Sequence, residues 1–299
     1  MIAIRCALCG KNNSKEIFAA NFNLDKLDHR TFSARRLPDK IHYRMVRCNK
    51  CDLLYSNPIL SEEKIISLYR GSTITYGDYT ENLNNTYQKH FKEALRLLQT
   101  NSKHKKLLEI GCGNGFFLKK ALQLGIDEVW GVEPGQAAVA KAPKEIKKNI
   151  IVDRFRTGLF RANFFDVICI FQTLDHLVDP NLALEECHRM IKKGGILLVV
   201  VHDSKSWSAR LLGERSPIID IEHIYLFDKK NLTKILQKNK FKVLNTFSIK
   251  NLHAIGYWIY LAPIPLVIKQ ELRKILSWLR VDTLSIEISI GNIGSMGRK

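Results

Sequence analysis

Two clusters in this chain have residue types and spacing suited to chemistry. The first is Glu109-Ile110-Gly111-Cys112-Gly113-Asn114-Gly115, with Glu133 following 24 residues after Glu109. Alternating glycines let the backbone bend sharply and let a ligand lie against it without a Cβ in the way. The spacing is Gly-x-Gly-x-Gly, not the Gly-x-Gly-x-x-Gly of a loop that cradles a dinucleotide pyrophosphate. Glu133 ends an apolar run, where a carboxylate can accept hydrogen bonds from both hydroxyls of a ribose. Glu109 stands just before the bend and suits the cationic end of a ligand. Glu109, Gly111, Gly113, Gly115 and Glu133 are therefore the expected cofactor-binding set.

The second cluster is Cys6-x-x-Cys9 and Cys48-x-x-Cys51, two knuckles 38 residues apart. Each pair can place two thiolates on one tetrahedral ion, and a closed four-thiolate site makes the metal, zinc, structural rather than catalytic. The chain has seven cysteines, and its start, Met1-Ile2-Ala3-Ile4-Arg5-Cys6, lacks the basic start and apolar run of a secretory signal. A reducing cytoplasm is the expected setting, which favours metal over disulfides. The competing reading is four unrelated thiols. Cys112, Cys169 and Cys187 sit in predicted core elements and are expected to be buried small residues.

The elements that must position these groups follow from periodicity. From Lys105 onward, short apolar strands alternate with helical patterns: Leu107–Ile110, Val129–Glu133, Phe165–Ile170 and the unbroken Ile196–Val201 as strands, Phe116–Leu124, Gln136–Ala142 and Asn181–Ile191 as helices. This alternation predicts an α/β fold, a Rossmann-like, mostly parallel sheet with helices on both faces. The expected domains are a zinc-binding, zinc-ribbon-like module over 1–60, a helical connector over 61–104, the sheet domain over 105–250, and a C-terminal extension over 251–299. In that extension the alternating run Leu284–Ile290 predicts an edge strand.

Residues 105 to about 200 resemble class I S-adenosylmethionine-dependent methyltransferases. Leu107–Leu118 matches their first motif, Val132-Glu133 the second, Phe165–Ile168 the fourth strand, and Leu174-Asp175-His176-Leu177-Val178-Asp179-Pro180 the "LEHL-DP" segment of small-molecule members. The resemblance implies S-adenosyl-L-methionine as cofactor, with Gln172 touching its methionine end and Tyr79, with Tyr76, covering cofactor or acceptor. The region of the adenine contact, Ile150–Arg161, is irregular, with Asp153 as a loose candidate. Glu222-His223-Ile224-Tyr225-Leu226-Phe227 is similar in part to the "EH-x-x-YF" segment of deoxysugar C-methyltransferases, which also carry an N-terminal zinc module and act on nucleotide-linked sugars. Methyl transfer to oxygen or carbon needs a proton removed, commonly by histidine. His223 is the first expected catalytic base and His176 the second.

The net charge of +18 attracts polyanions, although the lysines are scattered rather than clustered. A small-molecule acceptor, a nucleotide-linked or lipid-linked sugar of a polysaccharide pathway, is expected. Nucleic acid is not, because the fourth strand runs into Gln172-Thr173-Leu174-Asp175 instead of an Asn/Asp-Pro-Pro-Tyr/Phe motif, and no basic cluster is interleaved with aromatics. The alternatives left open are an RNA/DNA methyltransferase and a non-catalytic cofactor-binding scaffold. Leu252–Leu279 mixes aromatics with Lys269, Arg273, Lys274 and Arg280. It could lie at a membrane surface as an amphipathic element or pack on the sheet or a second subunit.

Overall fold

The computed structural model describes residues 1–24, 27–28, 31–32, 40–73, 80–261 and 264–299. In chain order the elements are β1 (Ser14–Phe18), β2 (Met45–Cys48), β3 (Leu54–Ser56), α1 (Glu62–Gly71), α2 (Thr80–Arg96), β4 (Lys106–Ile110), α3 (Phe116–Gln123), β5 (Glu128–Val132), α4 (Gln136–Ala140), α5 (Lys144–Lys147), β6 (Ile150–Ile151) and β7 (Phe165–Phe171). They continue with α6 (Pro180–Met190), β8 (Ile191–His202), α7 (Trp207–Leu212), β9 (Tyr225–Leu226), α8 (Lys229–Lys238), β10 (Lys242–Ala254), α9 (Ile255–Leu261), α10 (Leu266–Trp278) and β11 (Ser285–Arg298).

The main sheet has the order β10-β11-β8-β7-β4-β5-β6. From β8 to β6 every pairing is parallel, and β11 alone runs against its two neighbours. Both faces are covered, which is why β7 and most of β8 read as continuous apolar runs. On one face Ile168, Ile170, Leu197 and Val199 pack with Leu184 of α6 and Leu232 and Leu236 of α8. On the other, Val167, Cys169, Leu198 and Val200 pack with Phe91 of α2 and Phe117 of α3. Cys112, Cys169 and Cys187 are all buried in these layers. Local signals set the helix starts. Asp179 accepts from the amides of Asn181 and Leu182 ahead of Pro180, and Ser61 accepts from that of Lys64, caps of about 1 kcal/mol each.

The run Leu284–Ile290, expected as an edge strand, pairs on one side: Ser285–Ile288 meets β10, and the pairing with β8 begins only at Asn292. That run opens β11, whose second half lies between β10 and β8, with Asn292 opposite His202 and Arg298 opposite Ile196. Along that second half the edge belongs to β10. Glycines occupy this interior half. A Cβ on Gly294 would stand 2.6 Å from the Phe247 ring, and one on Gly297 would stand 2.9 Å from Phe241 Cβ. Aromatic residues from the neighbouring segment supply the apolar cover there, so the strand itself shows no apolar run.

A second, antiparallel sheet has the order β1-β2-β3-β9. It joins the cysteine-bearing N-terminus to β9, a segment far along the chain, through pairing of Leu54 with Leu226 and Tyr55 with Tyr225. Cys6, Cys48 and Tyr55 share one apolar core with the main sheet.

Candidate active site

At the cofactor end, β4 delivers a buried Glu109 and the loop turns at Gly111 with φ +75°. A Cβ at Gly111 would stand 2.2 Å from Thr173 Oγ1, so the turn is closed to any side chain. Gly111→Ala is expected to abolish cofactor binding while most of the fold persists, checked by calorimetry beside circular dichroism. Glu133 Oε2 accepts from the Gly113 amide at 2.9 Å and Oε1 from the Gly135 amide at 2.8 Å. Burial pushes its carboxyl above the usual range against these two donors, which aim the carboxylate. Gln172, at the tip of β7, has φ +50°. Its buried Oε1 has no hydrogen-bond partner among the described residues, so it is an acceptor awaiting a donor. Tyr76 and Tyr79 lie outside the described residues.

One cavity of 640 Å³ runs from Gly111, Glu133 and Gln172 to His176, His202 and His223. That volume suits a substrate-sized ligand. Glu109, Gly113 and Gly115 do not reach its wall; they shape the loop behind it. Asp153, the loose adenine candidate, pairs instead with Arg70 at 3.0 Å and Arg156 at 3.1 Å and is also off the wall.

The far end is a histidine cluster around one carboxylate. Asp175 sits fully buried in the turn after β7, and His202 ends β8. His202 Nδ1 donates to Asp175 Oδ2 at 2.8 Å, which leaves its Nε2 with a lone pair. His223 Nδ1 donates to the Ile218 carbonyl at 2.9 Å, and its ring lies 4.3 Å from that of His202 and 4.9 Å from that of His176. His176 Nδ1 lies 3.0 Å from the Tyr69 hydroxyl, which donates to Glu222 Oε1 at 3.0 Å. Burial would raise the Asp175 carboxyl, but the His202 hydrogen bond and the neighbouring imidazoles hold it well below the usual carboxylate range. Burial, then the other two imidazoles, push His223 well below the ordinary histidine value, so it stays neutral.

The backbone stitches this cluster together. The Ile224 amide donates to the Asp175 carbonyl at 2.9 Å, and Ser56, on β3, donates through Oγ to the His223 carbonyl at 3.0 Å. The fold thus brings both expected histidines together and adds His202, Asp175 and Tyr69 in roles that sequence reading did not assign. The available signal for His202 was its place directly after the apolar run Ile196–Val201, because open α/β sheets bind ligands beyond the carboxyl ends of their strands.

The four N-terminal cysteines also converge. Cys6 and Cys51 sulfurs are 3.3 Å apart, Cys9 and Cys48 sulfurs 3.5 Å, and all four lie within 4.8 Å of one another. Four sulfurs at zinc's bond length in a tetrahedron are about 3.8 Å apart, so the donor set fits that ion. Burial pushes the Cys51 thiol up to about 11. For Cys48, amide donation from Cys51 and Lys50 outweighs burial and brings the thiol down to about 7.

Residues 79–246 match a protein family described as "Methyltransferase domain". The chain is 32% identical over 117 residues to the ubiquinone biosynthesis O-methyltransferase of Pseudomonas aeruginosa (strain UCBPP-PA14), covering 36% of this chain and 50% of that protein. It is 35% identical over 97 residues to the protein of that name from Pseudomonas syringae pv. tomato, covering 30% and 41%. The chain thus spans half the length, or less, of these curated relatives. Among solved structures it is similar to a SAM-dependent methyltransferase from Archaeoglobus fulgidus, with TM-score 0.47, 13% identity and coverage of 72% of this chain and 94% of that one. It is also similar to a chain of the Haloferax volcanii complex containing the Trm112 methyltransferase activator, with TM-score 0.49, 16% identity and coverage of 73% and 92%.

Proposed function

Because the chain belongs to the methyltransferase-domain family, we propose that it moves a methyl group from S-adenosylmethionine to a small-molecule acceptor, a nucleotide-linked or lipid-linked sugar intermediate. The observation that carries this reading is the single cavity joining the Gly111–Glu133 bend to the histidine cluster. Tyr69, Asp220, Glu222, Asn251 and Asn292 line the acceptor end, a density of polar groups that suits a hydroxylated ligand. When bound, the sulfonium supplies an electrophilic methyl group and leaves as a thioether. Glu133 holds the ribose hydroxyls, Glu109 steers the cationic amino-acid end through the loop, and Gln172 accepts a hydrogen bond beside the methionine portion.

His202 Nε2 takes the acceptor's proton, and Asp175 orients the ring and stabilises the imidazolium that results. His223, the first base expected from sequence, has its Nδ1 on the Ile218 carbonyl instead of a carboxylate, so in this reading it positions the acceptor. Its neutral Nε2 accepts a hydrogen bond from an acceptor hydroxyl, and His176, braced by Tyr69, positions the same group. In this reading residues 1–60 form a structural zinc module, 61–104 a connector, and 105–250 with the second half of β11 the catalytic domain, working in the cytoplasm or at a membrane face.

Calorimetry should detect S-adenosylmethionine and S-adenosylhomocysteine, and Glu133→Gln should weaken both by about 1.5–3 kcal/mol, roughly 10- to 100-fold. Methyl-labelled cofactor offered with nucleotide sugars, lipid-linked saccharides and RNA should label one of the saccharide fractions. Label confined to RNA would overturn the acceptor assignment, and no affinity for either adenosyl compound would overturn the whole reading.

A further inference from the structure

The hairpin of β10 and β11 runs past the main sheet. The first half of β11, Ser285–Ile288, pairs only with Asn251–Ala254 of β10, and α9 and α10 sit at its tip. Helix α10 has no buried residue. At 3.6 residues per turn, Val267, Ile268, Leu272, Ile275 and Trp278 fall on one side, and Lys269, Arg273 and Lys274 on the other with Gln270 and Ser277. Seven large apolar residues between Leu266 and Leu279 are exposed, Trp278 at 82%. Six of them, all but Leu266, share one side of the helix. Glu271, the helix's one acid, falls on that side and pairs with Lys274 at 2.8 Å, and Arg280 follows the helix end.

Helix α9, which packs against α10, reaches the mouth of the cavity. The Trp258 indole of α9 donates to the Ile286 carbonyl at 3.2 Å, and the Trp207 indole of α7 donates to the Ser289 carbonyl at 2.9 Å. Trp258, Trp207, Leu211 and Ile288 all line the cavity, and Trp207 and Leu211 are exposed. Helix α9, packed against α10, thus carries the hairpin tip to the rim of the cavity.

We propose that α10 docks on an anionic lipid surface. An apolar face backed by cations is the composition that lies in a headgroup layer. Docking seats the cavity mouth at the bilayer, so a sugar carried on a lipid phosphate reaches the histidine cluster without leaving the membrane. This last step rests on the methyltransferase reading; the docking does not.

The test is sedimentation of the full chain with vesicles of phosphatidylcholine alone or mixed with phosphatidylglycerol. Binding should require phosphatidylglycerol, weaken with added salt, and shift Trp278 emission to the blue. Ile275→Glu and, separately, Arg273→Glu with Arg280→Glu should each lower binding about tenfold or more. Equal binding to both vesicle types, or unchanged binding by Ile275→Glu, overturns the proposal. So does a vesicle-indifferent dimer in the parent that Ile275→Glu splits, which would assign the face to a second copy. Calorimetry with S-adenosylmethionine on the same samples separates the two readings, because failure there strikes the methyl transfer and leaves the docking to the vesicles.

Discussion

His202→Asn is expected to lower kcat roughly 10²- to 10⁴-fold while the Kd for S-adenosylmethionine stays within about twofold, because a positioned proton acceptor contributes to the chemical step alone. The expectation rests on the 2.8 Å bond from His202 Nδ1 to Asp175 Oδ2, which fixes the tautomer with the lone pair on Nε2. Asp175→Asn should cost a similar factor by losing that tautomer, even with the imidazole still present. The pH profile carries the sign. The base works only unprotonated, so parent activity should show an acid limb. Asp175, held far below the usual carboxylate range, stays ionised throughout and cannot be the source of that limb. His223→Gln should act differently. Its ring is already neutral, so its loss should raise KM more than it lowers kcat. A variant lacking His202 that keeps parent kcat, with the acid limb unchanged, would defeat the assignment. In that case the same two measurements on His176→Asn would identify the alternative base.

Removal of a metal from Cys6, Cys9, Cys48 and Cys51 should be the most destabilising single treatment, since structural zinc in small modules contributes about 10–16 kcal/mol of apparent free energy. Metal analysis should find one zinc per chain, and Cys9→Ser with Cys48→Ser should remove it. The damage should not stay in the module. Cys6 and Cys48 are core residues shared with the main sheet, and β3 pairs with β9, which starts two residues after His223. The Ser56 amide also donates to the Ile224 carbonyl at 2.8 Å. Chelation should therefore lower Tm and erode kcat together. Metal-free protein with parent stability and activity would falsify the structural role.

The two readings differ in how local their evidence is. The Gly111–Gly115 bend was legible because strand, turn and helix are contiguous, and each glycine is demanded by backbone geometry within a few residues of itself. Glu133 was legible for a related reason, since β5 is the next strand and lies parallel beside β4 in direct register. Each cysteine pair announces itself through two intervening residues, although only the fold brings the two knuckles to one point. The parallel sheet could be read from apolar runs because strands covered on both faces cannot alternate with polar residues.

What the order of amino acids could not convey depends on pairings between distant segments. His202 and Asp175 are 27 residues apart and Tyr69 and His176 are 107 apart. They meet because β7 and β8 are neighbours and α1 crosses the cavity wall, facts of topology that no short window contains. The basicity of His223 was likewise hidden, because burial sets it and residue type does not. The interior half of β11 gave no strand signal, since it relies on Phe241 and Phe247 for apolar cover. By itself, then, the sequence determined the ligand-shaped bend, the thiolate pairs and the layered sheet, all products of local backbone sterics and periodic burial. Tertiary structure alone decided which imidazole faces a buried carboxylate, which strand completes the sheet, and which helix is left with its apolar side uncovered, since each depends on contacts made across the chain.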